Sequence, residues 1–478
     1  MMEKTPYDTA DEESILDYAG KLTGKTLGEA LGEIYLDTKF DEGLRGDVHG
    51  KGFFGQILEK EYFFIENNNL PEPDFLEVGI ELKSAPLKEV PGKGLVSKER
   101  MVLGIIDYNV VPEKGFSTFT KKNSRILMVF FRWVSGESIY GYRIEKVVDW
   151  TPNPDELRVI REDWDVIEKY ILRGEAHLLS ERHTKYLAAC RKGTGGDEDD
   201  REQPFSDAPA PQRALSFKSS FVNNIYKTHE DVNQRHKSLM TIENTGDSVL
   251  SSWPEGTSFE DHVVNHFAKF KGRTCEEIEE ILGTQLNERS KSYYSTLSLR
   301  MLGVNGRKVQ EFEQAGIKMK TVRLTIEGKP KESMSFPAFK YEDVAEQEWE
   351  DSDFFQQIDH RFLFVIFRFQ TSKPSEEAKR SLVFDSAFFW SVPQEDLDIM
   401  EWVWMDTREK ILHEDFDHFI GSGDNRLIHV RPHAQNRNDT YPYNGNNYTK
   451  RGFWFNDSYI KRIVEESKEE GLTAGRSD

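Results

Sequence analysis

Cysteine is nearly absent from this chain. Cys190 and Cys275 are the only two in 478 residues. That excludes a disulfide framework and a cysteine-based zinc site, and it suits a reducing cytoplasm. Long apolar runs are missing as well. No stretch approaches the roughly 20 residues that a membrane-spanning helix needs, and the charged opening from Met1 to Ser14 does not read as a signal peptide. The expectation is a cytoplasmic protein with no membrane partner. Positive charge is also short, with 63 basic against 84 acidic residues and a net charge of −21. Such a balance argues against non-specific nucleic-acid binding over the whole surface. It leaves room for a basic cleft, because affinity follows local phosphate contacts. The acids gather in stretches such as Asp197-Glu198-Asp199-Asp200 and Glu346-Gln347-Glu348-Trp349-Glu350-Asp351, which read as solvated faces or loops.

What the chain does have is an internal repeat. Asp74-Phe75-Leu76-Glu77-Val78-Gly79-Ile80-Glu81-Leu82-Lys83-Ser84 returns as Glu311-Phe312-Glu313-Gln314-Ala315-Gly316-Ile317-Lys318-Met319-Lys320-Thr321, at an offset of 318 − 81 = 237. Phe, Gly-Ile and the final Lys are kept, whereas Glu81 is replaced by Lys318. Each half opens with a Thr-x-x-Glu capping box, at Thr26/Glu29 and Thr274/Glu277. Each continues to a near-continuous apolar run that reads as a central strand, from Arg125 to Arg132 and from Arg361 to Arg368. Each then has a proline-started helix, Pro152 to Leu172 and Pro393 to Leu412. Strands and helices alternating twice predict two α/β domains. The segment from Gly193 to Gln212 reads as a surface loop, and Glu465 to Asp478 as a frayed tail. Ala19 to Thr26 formally fits a phosphate-binding loop, but Glu13 to Tyr18 before it reads as helix rather than strand. Helix capping explains these residues better.

The first copy carries the chemistry. Val78, Ile80 and Leu82 alternate with Gly79, Glu81 and Lys83, so Glu81 and Lys83 share one face of a strand. Asp74 lies an odd number of residues away, so a bend at Pro73 or Gly79 must bring it round. Two carboxylates converging on a hard cation hold it while leaving positions for water and a phosphate oxygen. A bound metal acidifies the water and offsets charge on the phosphoryl oxygens, and a neighbouring ammonium helps with both.

Lys51-Gly52-Phe53-Phe54-Gly55-Gln56-Ile57-Leu58-Glu59, Pro73-Asp74 and Gly79 to Lys83 together resemble the MutH family of GATC-specific endonucleases. Ser97 to Arg100, Tyr186 to Gly193, Glu332 to Phe336 and Phe453 to Lys461 agree, so the likeness covers nearly the full length. With two copies, the chain is similar to the Sau-type restriction endonucleases of that family.

The resemblance implies two tandem restriction-endonuclease-fold (PD-(D/E)XK) domains, each a mixed sheet flanked by helices. They are a catalytic domain over 1–232, a linker over 233–254, and a catalytically degenerate DNA-binding regulatory domain over 255–478. It implies Mg²⁺ held by Asp74 and Glu81, with Lys83 positioning water and Glu59 as a third acid. Lys51 and Gly52 fall where the family approaches the minor groove. Lys98 or Arg100 adds a second cation at the cleavage site, and Arg191 and Lys192 match the loop that reads base edges.

In the second copy, Arg431, Pro432, His433, Arg437 and Arg451 match the family's DNA-reading segments. The first copy's Ser216 stands where the family has a Tyr linked to methylation sensing. The implied activity is a type II, type IIE-like, enzyme cutting before the guanine of GATC. Its partners are duplex DNA at one or two sites, a second chain in a DNA-induced dimer, and a methyltransferase acting on the same sequence. The alternatives are a mismatch-repair nickase needing a MutL-type partner, and a GATC-binding regulator that does not cut.

Overall fold

The computed structural model describes residues 5–34, 52–65, 72–90, 92–193, 197–235, 247–250, 253–349, 352–372 and 378–474. The chain divides into two compact units. The first is Met1–Thr245 with Gln310–Gly316, and the second is Gly246–Val309 with Ile317–Asp478. The repeat assigns Gln310–Gly316 to the second half, yet this segment belongs with the first unit. Its Gln314 Oε1 accepts a buried hydrogen bond of 2.6 Å from the Tyr186 hydroxyl.

In the first unit the strands are β1 (Glu81–Val90), β2 (Gly94–Ser97), β3 (Met101–Ile105), β4 (Ile126–Arg132), β5 (Arg143–Trp150), β6 (Leu187–Arg191), β7 (Asp200–Gln203), β8 (Ser206–Pro211) and β9 (Arg213–Phe217). The main sheet has the order β2-β1-β4-β5. It is mixed, since β1 and β4 run parallel while their outer neighbours are antiparallel. Six successive residues of β4, Ile126 to Phe131, are buried, as a strand covered on both faces requires. Helix Pro154–Leu172 starts with a capping box between Asn153 and Glu156. A second, antiparallel sheet has the order β3-β9-β6. The segment read as a loop instead forms the β7–β8 hairpin, because its short strands, anchored by buried Gln203 and Ala210, still pair across a two-residue turn.

The second unit repeats this plan with β10 (Lys318–Leu324), β11 (Met334–Phe339), β12 (Phe362–Arg368), β13 (Val383–Trp390), β14 (Ile428–Pro432), β15 (Thr440–Tyr443), β16 (Asn446–Thr449) and β17 (Arg451–Phe455). Here β10-β12-β13 corresponds to β1-β4-β5, and β11-β17-β14 to β3-β9-β6. Both capping boxes form. Glu29 N–H and Glu277 N–H each donate 3.2 Å to their threonine hydroxyl, and each carboxylate accepts from the threonine N–H at 2.8 Å. The phosphate-loop look-alike follows helix Glu12–Gly20 rather than a strand, as capping demands. Of the expected frayed tail, Glu465 to Ala474 continues helix Asp457–Ala474, whose buried Tyr459, Ile460, Ile463 and Val464 lie ahead of it, and the rest lies outside the described residues. Both cysteines are buried thiols. Among the described residues, no helix is long and apolar enough to cross a membrane.

Asp163 fixes the entry to β6. Its fully buried carboxylate accepts from the backbone N–H of Lys185 (2.8 Å), Tyr186 (2.6 Å) and Leu187 (3.0 Å). Asp163→Ala leaves these donors unpaired. The expected cost is about 3 kcal/mol, read as roughly 10²-fold faster amide hydrogen exchange across β6. Unchanged exchange there would show that Asp163 does not hold the strand.

Candidate active site and DNA-facing loops

The acids of the first copy meet because β1 begins one residue after a tight reversal. Phe75 and Ile80 bridge each other with hydrogen bonds of 2.9 and 3.2 Å, and Gly79 takes φ 69°, which favours glycine. The strand therefore starts at Glu81 rather than Val78, and Asp74 comes to lie beside it. Asp74 N–H donates to Glu81 Oε2 at 3.2 Å, and Leu82 N–H donates to Asp74 Oδ2 at 2.9 Å. This reversal resolves the odd spacing of the two carboxylates.

Glu59 reaches the same place from helix Phe53–Ile57, which continues as a π-helical turn over Leu58–Tyr62. A Cβ added at Gly55 would lie 3.1 Å from Ser84 Oγ and 3.9 Å from Glu59 Oε1, so glycine lets this helix lie against β1.

Electrostatics ties the cluster together. Glu81 has 0% exposure. Burial pushes its pKa up to about 7, with the Asp74 charge adding to the rise and the Lys83 and Lys122 ammoniums opposing it. Burial also raises Glu59, again with Asp74 adding and the same two lysines opposing. Lys83 ion-pairs with Glu81 Oε1, and Lys122 Nζ lies 3.3 Å from the same oxygen.

Lys122 was not singled out from the sequence. The signal was available, since Lys122 lies in the last turn of the helix leading into β4, and β4 runs parallel to β1 with Ile126 beside Glu81. Residues just before β4 therefore fall at the acidic end of β1. Lys98 and Arg100, read as the source of that second cation, are engaged elsewhere. Lys98 pairs with Glu99 at 2.5 Å and sits 4.6 Å from the Trp133 ring centre, and Arg100 pairs with Glu181.

Among the described residues, no three His, Cys, Asp or Glu side chains form a ready metal cage. Two converging carboxylates still fit a hard divalent cation that keeps water and phosphate oxygens in its remaining positions. A cation would also relieve the mutual charge of Asp74 and a buried Glu81.

The second copy keeps the backbone and changes the chemistry. Lys318 N–H donates to Arg361 O at 2.9 Å, as Glu81 N–H does to Arg125 O at 3.0 Å. Lys318 stands beside Phe362 as Glu81 stands beside Ile126. Gly316 has φ 67°, matching Gly79. Matching Arg125 to Arg361 (361 − 125 = 236) puts Ile358 where Lys122 stands, and Ile358 is fully buried. Glu311, the counterpart of Asp74, lies instead on helix Gln310–Ala315, buried in the first unit.

The DNA-facing candidates lie at strand ends. Arg191 is exposed at the end of β6, and Lys192 is half-buried with its N–H on Gln212 O at 2.8 Å. Ser216 is buried in β9, opposite Ala188. Gly52, φ 95°, opens helix Phe53–Ile57, while Lys51 lies outside the described residues.

In the second copy, Arg431 and Pro432 are exposed at the end of β14. The Arg431 guanidinium stacks 3.6 Å from the Trp454 ring centre, with His433 5.4 Å from it. Arg451 pairs with Pro432 across β17 and lies 5.1 Å over Phe419, and Arg437 is exposed in the connecting loop. Trp454, the counterpart of Ser216, is the aromatic platform that the sequence reading missed.

Comparison with known proteins identifies the family. The family described as DNA mismatch repair enzyme MutH matches twice, over residues 63–163 and 302–402. The type II restriction enzyme Sau3AI of Staphylococcus aureus is 30% identical over 92% of this chain and 96% of its own length. The DNA mismatch repair protein MutH of Shewanella woodyi is 28% identical over 40% of this chain and 78% of its own length. MutH of Escherichia coli K12 is 31% identical over 37% and 73%.

The raised acid makes a prediction for the metal-free protein. Unfolded, Glu81 ionises near 4.5, and folded it keeps its proton to about 7. Between these values the folded state binds the extra proton, so stability falls as pH rises through the window and the loss is complete above it. Denaturant unfolding in EDTA at about pH 5 and about pH 7.5 should show a steeper decline for the wild type than for Glu81→Gln. Identical pH dependence in the two proteins would contradict the assignment.

Proposed function

From the premise that this chain belongs to the MutH family and is a type II restriction endonuclease, we propose that it cuts duplex DNA before the guanine of GATC with Mg²⁺. The observation that carries this reading is the pair of copies built on one strand register, the first with Asp74, Glu81, Lys83 and Lys122 converging and the second with Lys318 and Ile358 in their places. A restriction endonuclease of this family works with a divalent cation. When bound, the cation acidifies water and stabilises charge on the phosphoryl oxygens.

The chain's own residues do the rest. Asp74 and Glu81 hold the cation, and Glu59 supports them from the adjoining helix. Lys83 orients the attacking water, and Lys122 favours the ionised form of the Glu81 carboxylate against its burial. Water attacks phosphorus, the bond to the 3′ oxygen breaks, and the product keeps a 5′-phosphate. Arg191 and Lys192 read base edges as donors to guanine O6 and N7. The protein works in the cytoplasm beside a methyltransferase that protects the same sequence.

The second copy binds another GATC site through Arg431, His433, Arg437 and Arg451, and so stimulates cutting by the first. Effector DNA achieves this only by favouring the active state over the inactive one. A mismatch-repair nickase fits less well, because the MutH proteins match only 37–40% of this chain, whereas the restriction enzyme matches 92%.

Digestion of unmethylated plasmid tests the reading. The wild type should give Mg²⁺-dependent fragments ending at GATC and nothing in EDTA. Glu81→Ala should lose at least roughly 10²-fold in rate, about 2.7 kcal/mol of barrier. An uncleavable GATC duplex should accelerate cutting of a single-site plasmid. Cleavage that survives Glu81→Ala would place the active site elsewhere, and a duplex that never accelerates cutting would remove the regulatory role.

A further inference from the structure

Lys320 is a poorly compensated charge in the second unit. It is half-buried on β10, and no carboxylate among the described residues lies within ion-pairing distance of its ammonium. Its neighbours are the Phe336 ring, 5.5 Å from the ammonium, and the ammonium of Lys318 two residues away on the same strand face. Burial first, and the Lys318 charge second, hold its pKa below the usual lysine range. A desolvated cation beside a like charge is costly unless an anion completes it. The contrast with the first copy is direct, because there the equivalent Lys83 is neutralised by Glu81.

Register says where that anion lies. Lys318 and Lys320 occupy the backbone positions of Glu81 and Lys83, the end of the strand at which the proposed function puts the first copy's cleavage site. Replacing Glu81 by Lys318 changes the spot from a holder of cations to a holder of anions. We propose that Lys318 and Lys320 form a phosphodiester-binding site in the second copy, gripping a DNA backbone phosphate directly where the first copy grips one through metal. The loss of the acid is then a gain of affinity as well as a loss of cleavage. This rests on the reading that the second copy binds DNA without cutting it.

The test is binding of a GATC duplex by the full chain in EDTA, followed by fluorescence anisotropy across a range of salt. The variants are Lys318→Gln, Lys320→Gln, the pair together, and Arg431→Ala. Removing one ammonium from the phosphate should flatten the slope of log K against log salt by about 0.9, so the double variant should flatten it by nearly two. The thermal midpoint of Lys320→Gln should stay level or rise, since a half-buried charge with no carboxylate beside it is gone. Lys318 is exposed, so its single variant keeps the fold and carries the test alone.

Unchanged affinity and slope in the lysine variants, with binding weakened by Arg431→Ala, would overturn the phosphate site and leave the DNA-binding reading standing. No change in any of the four would overturn both.

Discussion

A carboxylate with no access to water sets the electrostatics at the start of β1. Glu81 is buried at the start of β1 with Asp74 beside it, an arrangement that costs free energy unless positive charge faces it. In the metal-free protein, Lys83 and Lys122 supply that charge. A divalent cation supplies it more fully, and that is how a fold stores affinity for metal. The geometry depends on the parallel pairing of β1 with β4, which sets Glu81 beside Ile126 and brings the residues ahead of β4 within reach. The reversal at Gly79 and the close approach of Gly55 then deliver the other two acids.

The same frame in the second unit shows what becomes of it when the charge is inverted. The strand pairing, the left-handed glycine and the central apolar strand all persist. The acid has become Lys318, the second cation has become Ile358, and Glu311 has moved into the other unit. Because the backbone is retained, the strand ends that carry Arg431 and Arg451 are retained with it. Around the end of β14, Trp454 adds a rigid platform for the Arg431 guanidinium, which fixes a planar donor at low conformational cost. One duplication thus yields a module with paired carboxylates and a module with paired ammoniums at the same strand end.

Much of this was legible in the sequence. The repeat, the capping boxes, the apolar central strands and the Glu81/Lys83 face follow from local periodicity, and local periodicity is what a single chain records best. The need for a bend near Gly79 followed from an odd spacing alone. Lys122 was hidden because its role depends on which strands are neighbours, and strand neighbours are set by pairing across the sheet. For the same reason Lys98 looked like the second cation although Glu99 and Trp133 occupy it. Helix Gln310–Ala315 was misassigned because its contacts lie with residues such as Tyr186, far away in sequence. The β7–β8 hairpin was read as a loop since its strands are short and polar.

The central claim is that one chain carries one live metal site and one that has exchanged metal for ammonium. Anomalous diffraction from crystals of the full chain grown with a GATC duplex and Mn²⁺ addresses it directly. The account predicts metal density between Asp74 and Glu81, and none near Lys318 and Lys320. Metal density beside Lys318, or its absence from the Asp74–Glu81 pair with DNA bound, would contradict it.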